Sequence, residues 1–180
     1  MKNLSFFIST ALVTVIMLLI YTTIQQSYRT GLNDPQIQIA RDLGRQLEKG
    51  RSIDASVSTD PIDITKSLSP FIVLYDAQGK PLRSNAILDG KMPQLPLGVF
   101  EEVKVNGEYD VSWQPRKGIR MAMVIEKTNA APVQFVAVGR SMIEVEKRTR
   151  NMMTMVFIAW ILCLAIIAIG AAFYYFKRPK

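Results

Sequence analysis

The stretch Phe135–Phe157, FVAVGRSMIEVEKRTRNMMTMVF, changes character twice. It opens as an apolar strand, breaks at Gly139, and resumes at Ser141 with helical spacing. Ser141-Met142-Ile143-Glu144 has the Ser-x-x-Glu pattern of a capping box. In that motif the serine hydroxyl accepts from the Glu144 N–H and the carboxylate reaches back to the Ser141 N–H. Lys147, Arg148 and Arg150 then lead into an uncharged run. No Gly or Pro follows until Gly170, so the spacing predicts one helix from Met142 to about Phe176, ~52 Å long at ~1.5 Å per residue. A folded domain is thus expected to join a membrane-length helix with no Gly/Ser tether between them. Gly139, Ser141 and Glu144 are the expected transmission points, because a shift of the last strand would move the helix.

A second uncharged run, Asn3–Tyr28, lies between Lys2 and Arg29 and matches the later one, Asn151–Phe176. A bilayer core of ~30 Å needs ~20 apolar residues in a helix, so both runs are long enough to span it. The first exceeds the ~7–15 residues of a signal-peptide core, and IYTTIQQSYR after it offers no small-x-small cleavage site. It reads as an uncleaved signal anchor. The expected organisation is a tail at 1–3, a transmembrane helix at 4–28, an extracytoplasmic domain at 29–150, a second transmembrane helix at 151–176 and a tail at 177–180. The two tails carry only basic charges, which places them in the cytoplasm and the domain outside. Lys147, Arg148 and Arg150 oppose that orientation, but long loops translocate largely regardless of charge.

Charge and composition exclude several functions. Residues 29–150 hold all 15 acidic residues and 18 of the 22 bases, a net +3, so the rest of the +7 is membrane-flank charge. No Lys/Arg-rich tract stands out, and nucleic-acid binding is not expected. Histidine is absent, which removes the commonest general base and zinc ligand. The one cysteine, Cys163, falls inside the second span, so the domain has no disulfide and must be held by packing. No catalytic constellation, metal site or cofactor is expected; Asp76 in its turn is one carboxylate, far short of a calcium loop.

Within the domain, Asp34 before Pro35 reads as an N-cap with proline at the first helical position. Ile37, Ala40, Leu43 and Leu47 then make one apolar face, and Gly50 stops the helix. Gly31 is expected to separate this helix from the first span. Residues 51–69 read as a connection with one short helical turn. PFIVLYDAQGKPLRSNA gives a hairpin, Phe71–Tyr75 and Leu82–Asn85, around Asp76-Ala77-Gln78-Gly79. LDGKMPQLPLG is a loop, and PLGVFEEVKVNG carries a short helix. EYDVSWQP, GIRMAMVIEKT and APVQFVAVG are three more strands. Five strands with short turns make a mostly antiparallel sheet, preceded by one long helix and followed by another, an α+β fold.

The two spans, the helix DPQIQIARDLGRQL, the hairpin VLYDAQGKPLRSN and the strand FVAVGRSMIEVE resemble the extracytoplasmic PAS-like, Cache-type sensor domains of bacterial sensor histidine kinases. That resemblance implies a central antiparallel sheet that binds a small molecule, and a last helix that carries the signal inward. Only KRPK follows Phe176, so a membrane partner protein with cytoplasmic output is expected. Met142, Val145, Thr149, Met152 and Val156 form a heptad-like seam that pairs two copies as a homodimer or packs on the first span. Candidate ligand contacts are Arg120, which interrupts an apolar strand on the face of Ala122 and Val124, the aromatic pair Tyr109 and Trp113, and Arg83 and Arg140. Ion pairing, core packing and surface exposure are the competing roles for these five. The alternative to a sensor is a non-enzymatic structural or assembly subunit of a cell-envelope complex.

Overall fold

The computed structural model describes residues 2–30 and 33–176. The chain divides into two compact units, Thr30–Glu144 and the pair Met1–Arg29 with Val145–Lys180. The interruption expected at Gly31 lies outside the described residues.

In the first unit, α2 (Asp34–Glu48) follows the long helix α1 (Lys2–Thr30) and precedes the short α3 (Ile53–Ser56). Asn33, not Asp34, holds the N-cap position of α2. Its side chain makes no cap hydrogen bond and instead donates to Asp110 Oδ2 at 2.9 Å. Pro35 sits in the first turn, where its missing N–H costs nothing. Gly50 adopts φ +90° just past the end of α2, a conformation that favours glycine.

Five strands form one antiparallel sheet: β2 (Phe71–Tyr75), β3 (Pro81–Ser84), β5 (Glu108–Arg116), β6 (Ile119–Lys127) and β7 (Phe135–Ser141). Their order is β3-β2-β7-β6-β5, so the last strand in sequence is the middle strand in space. The fold is therefore α+β around a five-stranded antiparallel sheet. Two residue pairs, β1 (Ile62–Asp63) and β4 (Ala86–Ile87), add a small parallel ladder. Sequence reading misses it, because two-residue strands carry no periodicity. Both rims of the large sheet are irregular. β3 begins at Pro81 and its register with β2 slips between Leu74 and Tyr75. β5 bulges between Trp113 and Arg116, where Pro115 offers no N–H.

Alternation along the strands gives two buried faces. One holds Leu74, Val124, Val136 and Val138 under Ala40, Leu43 and Leu47 of α2. The other holds Phe71, Val73, Tyr75, Met121, Met123, Ile125, Phe135 and Ala137. It is covered by Phe100 and Val103 of α4 (Leu97–Asn106) together with Ile64, Ala86 and Leu95. Phe100 stands 4.9 Å from Tyr75 and 5.1 Å from Phe135, an aromatic column over the sheet. The Tyr75 hydroxyl donates to Pro93 O at 2.9 Å, which satisfies the one polar atom in that column. Burial pushes the phenol's ionisation well up from its ordinary value.

The strand expected to break at Gly139 continues through it to Ser141. Gly139 lies opposite Phe71 on one side and Met123 on the other. A Cβ there would overlap Met123 Sδ and the Phe71 ring, so glycine is present for space and not for a turn.

The β2–β3 turn forms as read. The Gly79 N–H donates to Asp76 O at 3.0 Å and Gly79 has φ +77°. Asp76 Oδ1 accepts from the N–H groups of Gln78 at 2.9 Å and Lys80 at 2.8 Å. Asp76→Ala removes both, and the chain is expected to lose about 1 kcal/mol of unfolding free energy in a urea titration while Asp76→Asn retains most of it.

In the second unit, α1 and α5 (Ile143–Phe176) supply two helical stretches long and apolar enough to cross a membrane, Ser5–Ser27 and Ile143–Tyr174. The Trp160 Nε1–H donates to Thr14 Oγ1 at 3.2 Å, a polar tie between the two helices.

Candidate functional site

The junction of β7 and α5 is the best-defined candidate. β7 ends at Ser141, α5 begins at Ile143, and Met142 alone lies between them. The Met142 N–H donates to Arg120 O at 2.9 Å, so the ladder with β6 persists to the last residue before the helix. Ser141 pairs with Met121, is 4% exposed, and belongs to the strand. Its hydroxyl accepts from the Ile143 N–H at 3.4 Å, one residue short of the Glu144 N–H that the capping spacing anticipates. The helix accordingly starts one residue later than expected. Glu144 lies in its first turn.

The five candidate ligand contacts are divided between the two faces of the sheet. Arg140 opposes Ala122 across β6 and β7, and Arg120 stands two residues before Ala122. The pleat therefore puts both guanidinium-bearing residues on the α2 face, roughly 7–8 Å apart as diagonal neighbours. Both are half-buried. Arg140 Nε donates to Leu68 O at 3.2 Å, which fixes its stem against the connection before β2. Together they make a basic corner at the end of the central strands, next to the strand–helix junction.

Arg83 shares the α2 face, since it opposes Leu74, but stands on the rim strand β3. It lies 3.7 Å from Asp54 Oδ1, and its Nε is buried without a hydrogen-bond partner among the described residues. Tyr109 and Trp113 lie on the opposite face, half-buried on β5 with Val111 and Ile119 against the aromatic core. The structure thus groups Arg120 with Arg140, groups Tyr109 with Trp113, and separates the two sets by the thickness of the sheet.

Two features escape sequence reading. Gln36 is fully buried on α2, and neither of its amide atoms has a hydrogen-bond partner among the described residues. A second lies along the outer edge of α2, where Arg41, Arg45 and Glu48 face Glu108 and Glu126 of the sheet. Arg41 grips Glu108 with two bonds, Nε to Oε2 at 2.9 Å and Nη2 to Oε1 at 3.1 Å. That contact raises the Arg41 ionisation through the hydrogen bond and charge of Glu108. Glu126 titrates above the ordinary carboxylate range, because it is partly desolvated and faces Glu108.

No group of three or more Asp, Glu, His or Cys side chains able to hold a metal ion occurs among the described residues. Between α1 and α5 lies an apolar groove of about 290 Å³ lined by Met17, Leu18, Tyr21, Met153, Val156 and Trp160, among others. Val156, a member of the expected seam, thus faces α1. No known protein family, curated protein or solved structure matches this chain.

Proposed function

We propose that the chain is a membrane-anchored extracytoplasmic sensor domain of PAS-like architecture that passes a signal to a partner membrane protein. The observation that carries this reading is the position of β7. It is the middle strand of the sheet, it is buried on both faces, and one residue separates it from a helix of membrane-spanning length. A ligand that shifts the sheet would shift this strand, and with it the start of α5. The basic corner of Arg120 and Arg140 supplies the recognition chemistry, which fits a small carboxylate or phosphate. The two apolar spans support a location in a cell membrane, and basic flanks at the tails favour an extracytoplasmic domain.

The test uses the full chain in mild detergent, titrated with small organic acids and inorganic phosphate. An anion near 100-fold above its Kd is expected to raise unfolding free energy by ~2.7 kcal/mol. Arg140→Ala should abolish that gain while Arg83→Ala leaves it. If no anion stabilises the chain and it co-purifies in a fixed ratio with a multi-subunit envelope complex, assembly replaces sensing.

A further inference from the structure

The outer edge of α2 meets the β5–β6 hairpin through carboxylates that are not evenly matched with bases. In the register of the hairpin, Glu108 stands directly opposite Glu126. Like charges in that position repel. The bulge at Pro115 creates the pairing. The turn closes with Arg116 opposite Ile119, and a straight hairpin from there would set Glu108 against Lys127. The bulge shifts the register by one residue. It thereby keeps Tyr109, Val111 and Trp113 on the core face opposite Ile125, Met123 and Met121, and the cost is an acid–acid pair at the far end.

The surrounding bases do not relieve that pair evenly. Arg41 gives both of its bonds to Glu108. Arg45 is engaged along its own helix, to Asp42 Oδ1 at 2.7 Å and to Arg41 O at 3.3 Å. Glu48 accepts from Thr128 Oγ1 at 3.3 Å and from the Asn129 N–H at 3.0 Å, and so adds a further negative charge. Asp110, next on the same face of β5, takes the Asn33 amide. On the other side of Glu126, β7 presents uncharged Val136. Glu126 Oε2 is buried and has no hydrogen-bond partner among the described residues. A buried carboxylate oxygen in that state is costly when charged and is relieved by a proton.

We infer that Glu108 and Glu126 are a proton-binding pair that tightens α2 against the β5–β6 edge as the surroundings acidify. A proton on Glu126 removes the cross-strand repulsion and supplies an O–H donor that the Glu108 carboxylate accepts. Arg41 stays bound to Glu108 throughout and anchors α2 to the pair. The sign follows from the raised folded-state ionisation of Glu126. The folded domain binds this proton more tightly than the unfolded chain, so stability is gained as pH falls toward the ordinary glutamate range near ~4.3 and is lost as pH rises above it. Asp63 acts in the opposite direction at lower pH. Its carboxylate is held below the ordinary value by hydrogen bonds from Thr65, and that contribution is lost on strong acidification. If the sensing reading is right, which this inference extends, the proton is itself a stimulus.

The test is amide hydrogen exchange of the full chain in detergent at pH 7.5 and pH 5.0, corrected for intrinsic exchange. Protection in α2 and at Glu108–Asp110 is expected to rise several-fold at the lower pH, because the closed form binds the Glu126 proton more tightly than the open form does. Glu126→Gln should show the high protection at both pH values. Glu108→Gln frees Arg41 for Glu126 and should move the response to lower pH, which gives a second readout if the first variant folds poorly. A wild-type response near unity, or an unchanged response in both variants, overturns the pair. Amide protection needs no anion and no partner, so its failure is distinguishable from failure of the sensing reading.

Discussion

Gly139→Val is expected to cost the domain about 3 kcal/mol or more, the upper end of the ~1–3 kcal/mol typical for overpacking a core. The middle strand has neighbours on both sides, and neither is free to yield. Phe71 is 1% exposed and Met123 is 0% exposed, and each stands directly opposite Gly139 in the ladder. A single methyl already overlaps Met123 Sδ and the Phe71 ring. Relief needs both side chains to leave their rotamers at once, or β7 to move away from β2 and β6. The measurement is a urea unfolding curve of the full chain, with Gly139→Ala as the intermediate case. A valine variant as stable as the parent would mean that the face beneath β7 is loosely packed, with room that Phe71 and Met123 leave unfilled. A double change, Gly139→Ala with Phe71→Leu, should recover part of the loss, because it empties the space the methyl enters.

Phe100→Ala is expected to be the most destabilising single truncation on α4, at ~3–5 kcal/mol. Phe100 is 2% exposed and touches three structures at once. Its ring packs on Tyr75 at 4.9 Å and on Phe135 at 5.1 Å, which ties α4 to β2 and β7. It also closes over the β2–β3 turn, where a Cβ at Gly79 would lie 2.7 Å from the ring. Removing it leaves a cavity bordered by rigid aromatics that cannot collapse inward. Domains have ~5–15 kcal/mol in total, so the variant should unfold at markedly lower denaturant. Val105→Ala on the same helix is the control. That side chain is 84% exposed, and its loss should change little.

These two positions also mark how far the sequence can be read. Strands β2, β6 and β7 announce themselves, since runs such as FIVLY and FVAV are buried on both faces and need only be apolar. The amphipathic helix α2 is equally plain from Ile37, Ala40, Leu43 and Leu47. Gly139 misleads because local rules assign glycine to turns, whereas its role here is set by two side chains 68 and 16 residues away in the chain, Phe71 and Met123. Ser141 misleads in the same way, because its spacing to Glu144 is that of a cap but its backbone is still paired with Met121. The site is less legible than the fold. Alternation correctly puts Arg120 on the face of Ala122 and Val124. It does not reveal that Arg140 is its diagonal neighbour, because that depends on the β6–β7 register. Nor does it reveal the Glu108–Glu126 pair, which follows from the one-residue shift of the hairpin between Trp113 and Arg116. Strand register is fixed by the whole core, and no single stretch of sequence carries it.

The irregular rims of the sheet have a consequence for crowding. In a crowded setting an open strand edge invites templated growth into fibrils. On one side of this sheet the outermost strand is four residues long and starts with Pro81. On the other, Pro115 removes an amide donor beside a bulge. A strand from a neighbouring molecule therefore finds only four residues to pair with at β3, and at β5 a run that the bulge ends after Trp113, so templated growth is limited at both rims.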